Sequence, residues 1–247
     1  MLAIIGGTGL TRLANLEVSR REEVRTPYGE PSGPLAFGSI RGVPVSFLAR
    51  HGAGHTLAPH QVNYRANLWA LKEHGCDEIV SVASVGGIRS DLGPGRIVVP
   101  HQIIDHTWGR MSTFFENEAP VKHIDFTEPY SVELRVRLLA AAEACAEPVV
   151  DGATYVAMQG PRLETAAEID WLEREGGDIV GMTGMPEASL ARELDLPYAA
   201  MAVVVNHAAG RGASARGISM RQIEEVLKET LGRVRKIIEA LAVGGKK

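Results

Sequence analysis

The 247-residue chain has few aromatics (three Trp, five Tyr, five Phe), only two cysteines, and no excess of either charge, with 26 Lys and Arg against 30 Asp and Glu. That near balance excludes the basic stripe that tracks a phosphate backbone, so nucleic acid is not expected as a partner, and any anionic ligand must be held by a few local groups. Cys76 and Cys145 lie far apart in apolar, helix-like contexts and belong to no metal or redox motif; reduced thiols and a cytoplasmic location are expected. The N-terminal apolar run breaks at Gly6 and has no basic flank, so neither a signal peptide nor a membrane span is expected. Repeats, low-complexity tracts and Pro/Ser linkers are also missing. Residues 1–247 therefore read as a single domain, long enough to bury one sizeable core.

What the chain does have is alternation. Short runs rich in Val, Ile and Ala at residues 2–5, 43–49, 79–85, 97–99, 154–157, 178–182 and 199–205 predict buried strands. Between several of them, apolar residues at three- and four-residue spacing predict helices over 62–73, 131–146, 165–173, 187–193 and 220–243. This pattern implies an α/β fold with a largely parallel sheet covered on both faces. The last helix is the best marked, with Ser219 and Gln222 in a capping-box pattern and its end expected to fray over 244–247. Residues 106–130 lack periodicity, and an irregular stretch of that length is usually functional or lies at an interface.

Five strands end in donors, acceptors or small residues. Gly6-Gly7-Thr8-Gly9 is a glycine turn whose backbone N–H groups suit an anion, and a dinucleotide fingerprint fails there because Arg12 stands where its last glycine is required. Arg50 and His51 follow a strand directly, with His55 one turn later, and the fork of an arginine suits phosphate. Ser84-Val85-Gly86-Gly87 permits close approach to backbone, while Thr183 precedes a helix start at which free N–H groups favour an anion. Glu164 reads either as a ligand-facing carboxylate or as an acid favouring the dipole of the next helix, and Asn206 as a strand-end amide or a turn residue.

Taken together, IIGGTGL, LARHG, HQVNYRANLWALKEHGC, VASVGGIR, QGPRLETAAE, GMTGMPE and VVVNHAAG resemble the purine nucleoside phosphorylase and methylthioadenosine phosphorylase family along nearly the whole chain. The resemblance implies a central mixed, partly closed β-sheet flanked by helices, of the nucleoside phosphorylase-I type, and a homotrimer. It also implies cleavage of a purine nucleoside by inorganic phosphate as co-substrate, with no cofactor and no metal. Carried over position by position, the phosphate site would be Thr8, Arg50, His51, the Ser84 backbone and Thr183. Met182 and His55 would lie at the sugar, Leu163 against the purine, and Glu164 and Asn206 at the base edge. His123 would reach across the trimer toward a neighbour's 5′-substituent. Arg50, Glu164 and Asn206 are the residues expected to carry catalysis.

The family's methylthioadenosine branch reads adenine with two aspartates, at positions where this chain has Asn206 and Ala208, and has a small hydroxyl residue in place of Glu164. Hypoxanthine offers N1–H and O6. A Glu164 carboxylate accepts from N1–H but repels the N1 lone pair of adenine, and Asn206 donates to O6, so a 6-oxopurine is expected. GMTGMPE and the short segment around His123 resemble the methylthio branch instead. The expected reaction is S-methyl-5′-thioinosine plus phosphate giving hypoxanthine and 5-methylthioribose 1-phosphate. Inosine, guanosine or methylthioadenosine as substrate, a nucleoside hydrolase, and a non-catalytic nucleoside binder are the alternatives.

Overall fold

A computed structural model of the chain describes residues 1–245. Four strands form its centre: β1 (Leu2–Gly6), β4 (Val43–Ala49), β5 (Glu78–Gly87) and β11 (Tyr198–His207). All four are almost wholly apolar because both faces of the sheet are covered. Ile4, Val80, Val82, Met201 and Val203 face helices α2 (Val132–Ala144) and α5 (Met220–Gly244). Their neighbours Ala3, Ile5, Ile79, Ala202 and Val204 face α1 (Tyr64–Glu73) and α4 (Gly184–Glu193). A smaller cluster, with Val156, Val180, Ile169 and Leu172, seats α3 (Ala166–Arg174).

The remaining strands are β2 (Glu17–Glu22), β3 (Leu35–Ile40), β6 (Ile97–Val99), β7 (Gln102–His106), β8 (Val150–Asp151), β9 (Thr154–Met158) and β10 (Ile179–Gly181). The eleven strands make one mixed sheet in the order β2-β3-β4-β1-β5-β10-β9-β7, with β11 and then β6 and β8 branching from β5. Residues 100–101 and 152–153 carry the chain directly from β6 to β7 and from β8 to β9, so the two arms of the branch are tied at their far ends. The sheet is thus mixed, and as expected most of it is parallel: six of its ten strand pairings, including all those among the four central strands, are parallel, and the four antiparallel ones involve β2, β3, β6 and β10.

The branch point creates the space for a site. A strand has two edges, and β5 has three partners. β11 runs along it from Ile79 to Gly87, so β1, which pairs up to Val82, and β10, which begins at Gly86, must share the other edge. Between them Ala83, Ser84 and Val85 have no strand on that side. This is the crevice that a change of strand partner opens at the carboxyl end of a sheet.

The predicted helices and apolar strands recur within a few residues, but β2, β3, β7 and β8 have no counterpart among the predicted strands. Ser219 accepts from the Gln222 backbone, the forward half of the expected cap. The helix runs through Gly244, and residues 246–247, part of the end expected to fray, lie outside the described residues. Residues 107–131 carry no helix or strand. Cys76 and Cys145 are both free, and no helix among the described residues is long and apolar enough to cross a membrane.

Candidate active site

A cavity of about 450 Å³ opens at the carboxyl ends of β1, β5, β10 and β11, a size suited to a small polar ligand and its partner. Thr8, Arg50, His51, His55, Ser84, Leu163, Glu164, Met182, Thr183 and Asn206 all line it. Ten of the eleven residues expected at the site therefore meet in one place. His123 does not: it lies exposed on the irregular segment, away from the cavity of its own chain.

At one end the turn after β1 brings Thr8 beside the free edge of β5. Gly7 is required there, since a Cβ would stand 2.9 Å from Arg50 Nη1 and 2.6 Å from the Val82 carbonyl. Arg50 is fully buried, and its fork closes on protein. Nε and Nη2 donate to Glu187 at 2.6 and 2.8 Å, Nη2 also to Ser81 Oγ at 2.7 Å, and Nη1 to the Val82 carbonyl at 3.1 Å. Of five N–H donors, four are engaged and one remains for the cavity. This corrects the expectation that the fork itself receives an anion. Burial alone would weaken the cation, but Glu187 more than offsets it and keeps Arg50 protonated well above its ordinary range. Glu187 is itself buried and accepts from Tyr198 Oη at 2.8 Å. The sequence reading missed it because an acid after Met185-Pro186 looks like an ordinary first-turn residue.

His51 Nδ1 lies 2.8 Å from the Leu57 carbonyl. A carbonyl only accepts, so Nδ1 carries the proton and Nε2 a lone pair. Burial, followed by the Arg50 charge, lowers the His51 pKa to about 4. The His55 ring packs 4.6 Å from it, on a residue held at φ 52°. Thr183 caps α4 without a side-chain bond to it, and its N–H donates to Tyr155 Oη at 3.2 Å. Met185 and Pro186 leave helical dihedrals, so regular helix begins only after them. The expected run of free N–H groups behind Thr183 is accordingly interrupted.

At the other end Glu164 stands just before α3. The cap belongs to its neighbours: Thr165 accepts from Glu168 N, and Glu168 accepts from Thr165 N and pairs with Arg162. The first-turn acid of α3 is thus Glu168, not Glu164, which precedes the cap and takes no part in it; the Glu164 carboxylate has no side-chain partner among the described residues and is raised in pKa chiefly by burial. Asn206 faces the cavity from β11, where a bulge between Val204 and Asn206 shifts the register against β5. An extra residue at such a place re-aims the side chains that follow. The Asn206 amide donates to the His207 carbonyl at 2.6 Å. Met220 and Ile223, at the start of α5, add an apolar wall that the sequence reading did not anticipate. The loop after β11, with a 3₁₀ turn at Gly212–Ser214, adjoins Leu163 and Glu164 in a neighbouring hollow.

The Phosphorylase superfamily profile matches residues 1–242. The chain belongs to this superfamily. A probable S-methyl-5′-thioinosine phosphorylase of Pseudomonas syringae pv. tomato is 55% identical over 94% of each chain. A 6-oxopurine nucleoside phosphorylase of Pyrococcus furiosus is 43% identical over 97% of this chain and 91% of its own. Among solved structures, a methylthioadenosine phosphorylase from Schistosoma mansoni in complex with adenine superposes with a TM-score of 0.94 at 34% identity, covering 100% of this phosphorylase and 92% of that chain.

Two outcomes follow for the Arg50 end of the cavity. Glu187→Gln leaves the Arg50 charge uncompensated and should cost about 3–5 kcal/mol in urea unfolding, with added phosphate recovering more stability in the variant than in the parent. Because His51 takes up its proton less readily folded than unfolded, the unfolded chain binds more protons between the ordinary pKa of about 6.5 and the folded value of about 4. Stability should therefore fall as pH drops through that window, by roughly 2 kcal/mol after allowance for partial solvent screening. His51→Gln should flatten that part of the stability–pH curve.

Proposed function

We propose that the protein catalyses phosphorolysis of a 6-oxopurine nucleoside, S-methyl-5′-thioinosine plus phosphate giving hypoxanthine and 5-methylthioribose 1-phosphate. The observation that carries the base assignment is Glu164, a carboxylate in the cavity wall with no side-chain partner among the described residues and no part in the helix cap. It accepts N1–H of the base, while the amide of Asn206 turns from the His207 carbonyl to O6 and N7. Leu163 packs on the purine. The apolar wall of Met220 and Ile223 supports a methylthio group at the 5′ end rather than a hydroxyl.

Phosphate is bound by the Thr8 and Thr183 hydroxyls, by the unpaired backbone of Ser84, and by the remaining N–H of Arg50. His51 Nε2 accepts the hydroxyl proton of a hydrogen phosphate. Met182 and His55 flank the sugar. A phosphate oxygen forms its bond to C1′ as the C1′–N9 bond breaks; the electron pair enters the purine, where Asn206 stabilises the charge at O6 and N7, and solvent supplies a proton to the base. A fixed anion beneath a cationic sugar and a donor above the departing base lower the barrier by position and electrostatics. No cofactor or metal enters this scheme, and a cytoplasmic location suits it.

The working unit on this reading is a homotrimer, in which His123 reaches the 5′ end of a neighbour's cavity. Supporting it, the segment that carries His123 also exposes Trp108 and Val121, at 72% and 73%, and such large apolar groups favour cover. Sedimentation should give a three-chain mass; a monomer would overturn this part.

Incubating the protein with methylthioinosine, inosine, guanosine, methylthioadenosine or adenosine, with and without phosphate, tests the reaction. Methylthioinosine should be cleaved fastest and only with phosphate. Release of base without phosphate would indicate a hydrolase, no release at all a binding protein, and faster turnover of methylthioadenosine would overturn the Glu164 assignment. Glu164→Ala should lower kcat/KM about 10- to 100-fold for 6-oxopurine substrates and much less for aminopurine ones.

A further inference from the structure

Arg110 lies outside the residues given a role above, on the irregular segment just after β7, yet its guanidinium is the most heavily bonded group beside the cavity. Nε donates to Gln159 Oε1 at 3.2 Å. Nη1 reaches the Met182 and Met185 carbonyls at 2.8 and 2.6 Å and Tyr64 Oη at 3.2 Å. Nη2 reaches the Gln159 carbonyl at 2.9 Å and the Met158 carbonyl at 3.4 Å. Six acceptors share five N–H groups, and none of them is a carboxylate. A cation spent entirely on neutral acceptors contributes placement more than charge pairing.

Of the residues that accept from Arg110 only Met182 lines the cavity itself, but the acceptors sit behind three different parts of its wall. Met158 ends β9, and Gln159 follows it and leads through Gly160 to Leu163 and Glu164. Met182 and Met185 bracket Thr183. Tyr64 Oη donates to the Pro59 carbonyl at 2.9 Å, and Pro59 lines the cavity on the His51 side. Met182 and the Gly160 turn also touch each other, since a Cβ on Gly160, at φ 60°, would meet Met182 Sδ at 2.4 Å. Only a planar fork with donors on three nitrogens can hold these carbonyls at once; an ammonium offers three donors from a single point.

We infer that Arg110 is a positioning residue for the reaction proposed above: it locks the base-side segment that ends in Leu163 and Glu164 to the sugar- and phosphate-side turn that carries Met182 and Thr183. It touches no reacting atom in this role. Phosphate and C1′ must meet in line, and a displacement near 1 Å between the groups that hold them costs about 10²-fold in rate. The irregular segment between β7 and α2 thereby acts on its own chain's cavity through its root.

The test compares Arg110→Lys, Arg110→Met and the milder Gln159→Ala with the parent protein, reading kcat and KM for methylthioinosine, melting temperature with and without saturating phosphate, and backbone hydrogen exchange. In Arg110→Lys, kcat should fall about 10- to 100-fold, with the phosphate-induced rise in melting temperature retained. Exchange should speed up together over residues 158–164 and 182–186. Gln159→Ala should move the same readouts in the same direction by a smaller factor. A kcat in Arg110→Lys within threefold of the parent's would overturn the inference, as would unchanged exchange in either segment, or losses of kcat that merely track the unfolded fraction. A parent protein that phosphorolyses none of the nucleosides would defeat the proposed function alone, because the exchange measurement still decides the role of Arg110.

Discussion

A guanidinium that cannot shed its proton has been enclosed completely, and much of the structure around the cavity answers to that constraint. Arg50 follows β4 at a point where its side chain points inward beneath β5, and an unpaired cation there would cost several kcal/mol. The counter-charge is Glu187, 137 residues away, at the place where α4 settles into regular helix after Met185 and Pro186. Tyr198 on β11 and Ser81 on β5 complete the set. The pair thus joins α4 to the loop after β4 and to two of the central strands, β5 and β11, and it is formally neutral. The cavity floor above it carries no strong net charge, since His51 is also neutral at ordinary pH.

The second constraint is topological. Because β11 occupies one edge of β5 throughout, β1 and β10 must divide the other, and the interval between them exposes the backbone of Ala83, Ser84 and Val85. Unpaired main-chain groups demand partners, and on the proposed reading the ligand supplies them. The bulge in β11 lies beside the point where β10 joins β5, so the turning of Asn206 and the opening of the crevice share an origin in how β5 is paired.

Much of this was legible in the sequence. Strands buried on both faces declare themselves as unbroken apolar runs, and their carboxyl ends carry the polar and small residues that a crevice needs; hence Thr8, Arg50, Ser84, Thr183 and Asn206 could be gathered before any geometry was known. What escaped did so for identifiable reasons. β2 reads Glu-Val-Ser-Arg-Arg-Glu, and all of its residues but the last are exposed; with neither face buried it has no hydrophobic period, and its charges suit an edge. β8 has two residues, too short for any pattern. The engagement of the Arg50 fork depends on a residue remote in sequence, and spacing carries no record of it. Arg110 was hidden in the same way, because its partners are carbonyl groups, which every residue type possesses. Which acid caps α3, Glu164 or Glu168, is a matter of one turn of backbone that sequence spacing does not distinguish.

The two ends of the cavity solve the problem of a charged ligand differently. At the Arg50 end the fixed charges cancel within the protein, so on the proposed reading phosphate meets hydroxyls, the unpaired backbone of Ser84 and one spare donor rather than a bare cation, an arrangement that leaves it nucleophilic instead of neutralised in a tight ion pair. At the base end Glu164 has been left without a cation, and burial raises its pKa in the empty cavity. On the proposed reading the N1–H of a 6-oxopurine supplies the missing donor, which favours the carboxylate form and lowers that pKa again. Binding of the base and ionisation of Glu164 are then linked, so affinity for a 6-oxopurine weakens on the acid side, where Glu164 is protonated before the ligand arrives. An adenine ring, whose N1 is an acceptor, gains nothing from the same ionisation. On that reading the contribution of Glu164 to the preference between the two bases resides in a single proton at the opposite end of the cavity from Arg50, and it can be set without altering the groups proposed to hold phosphate.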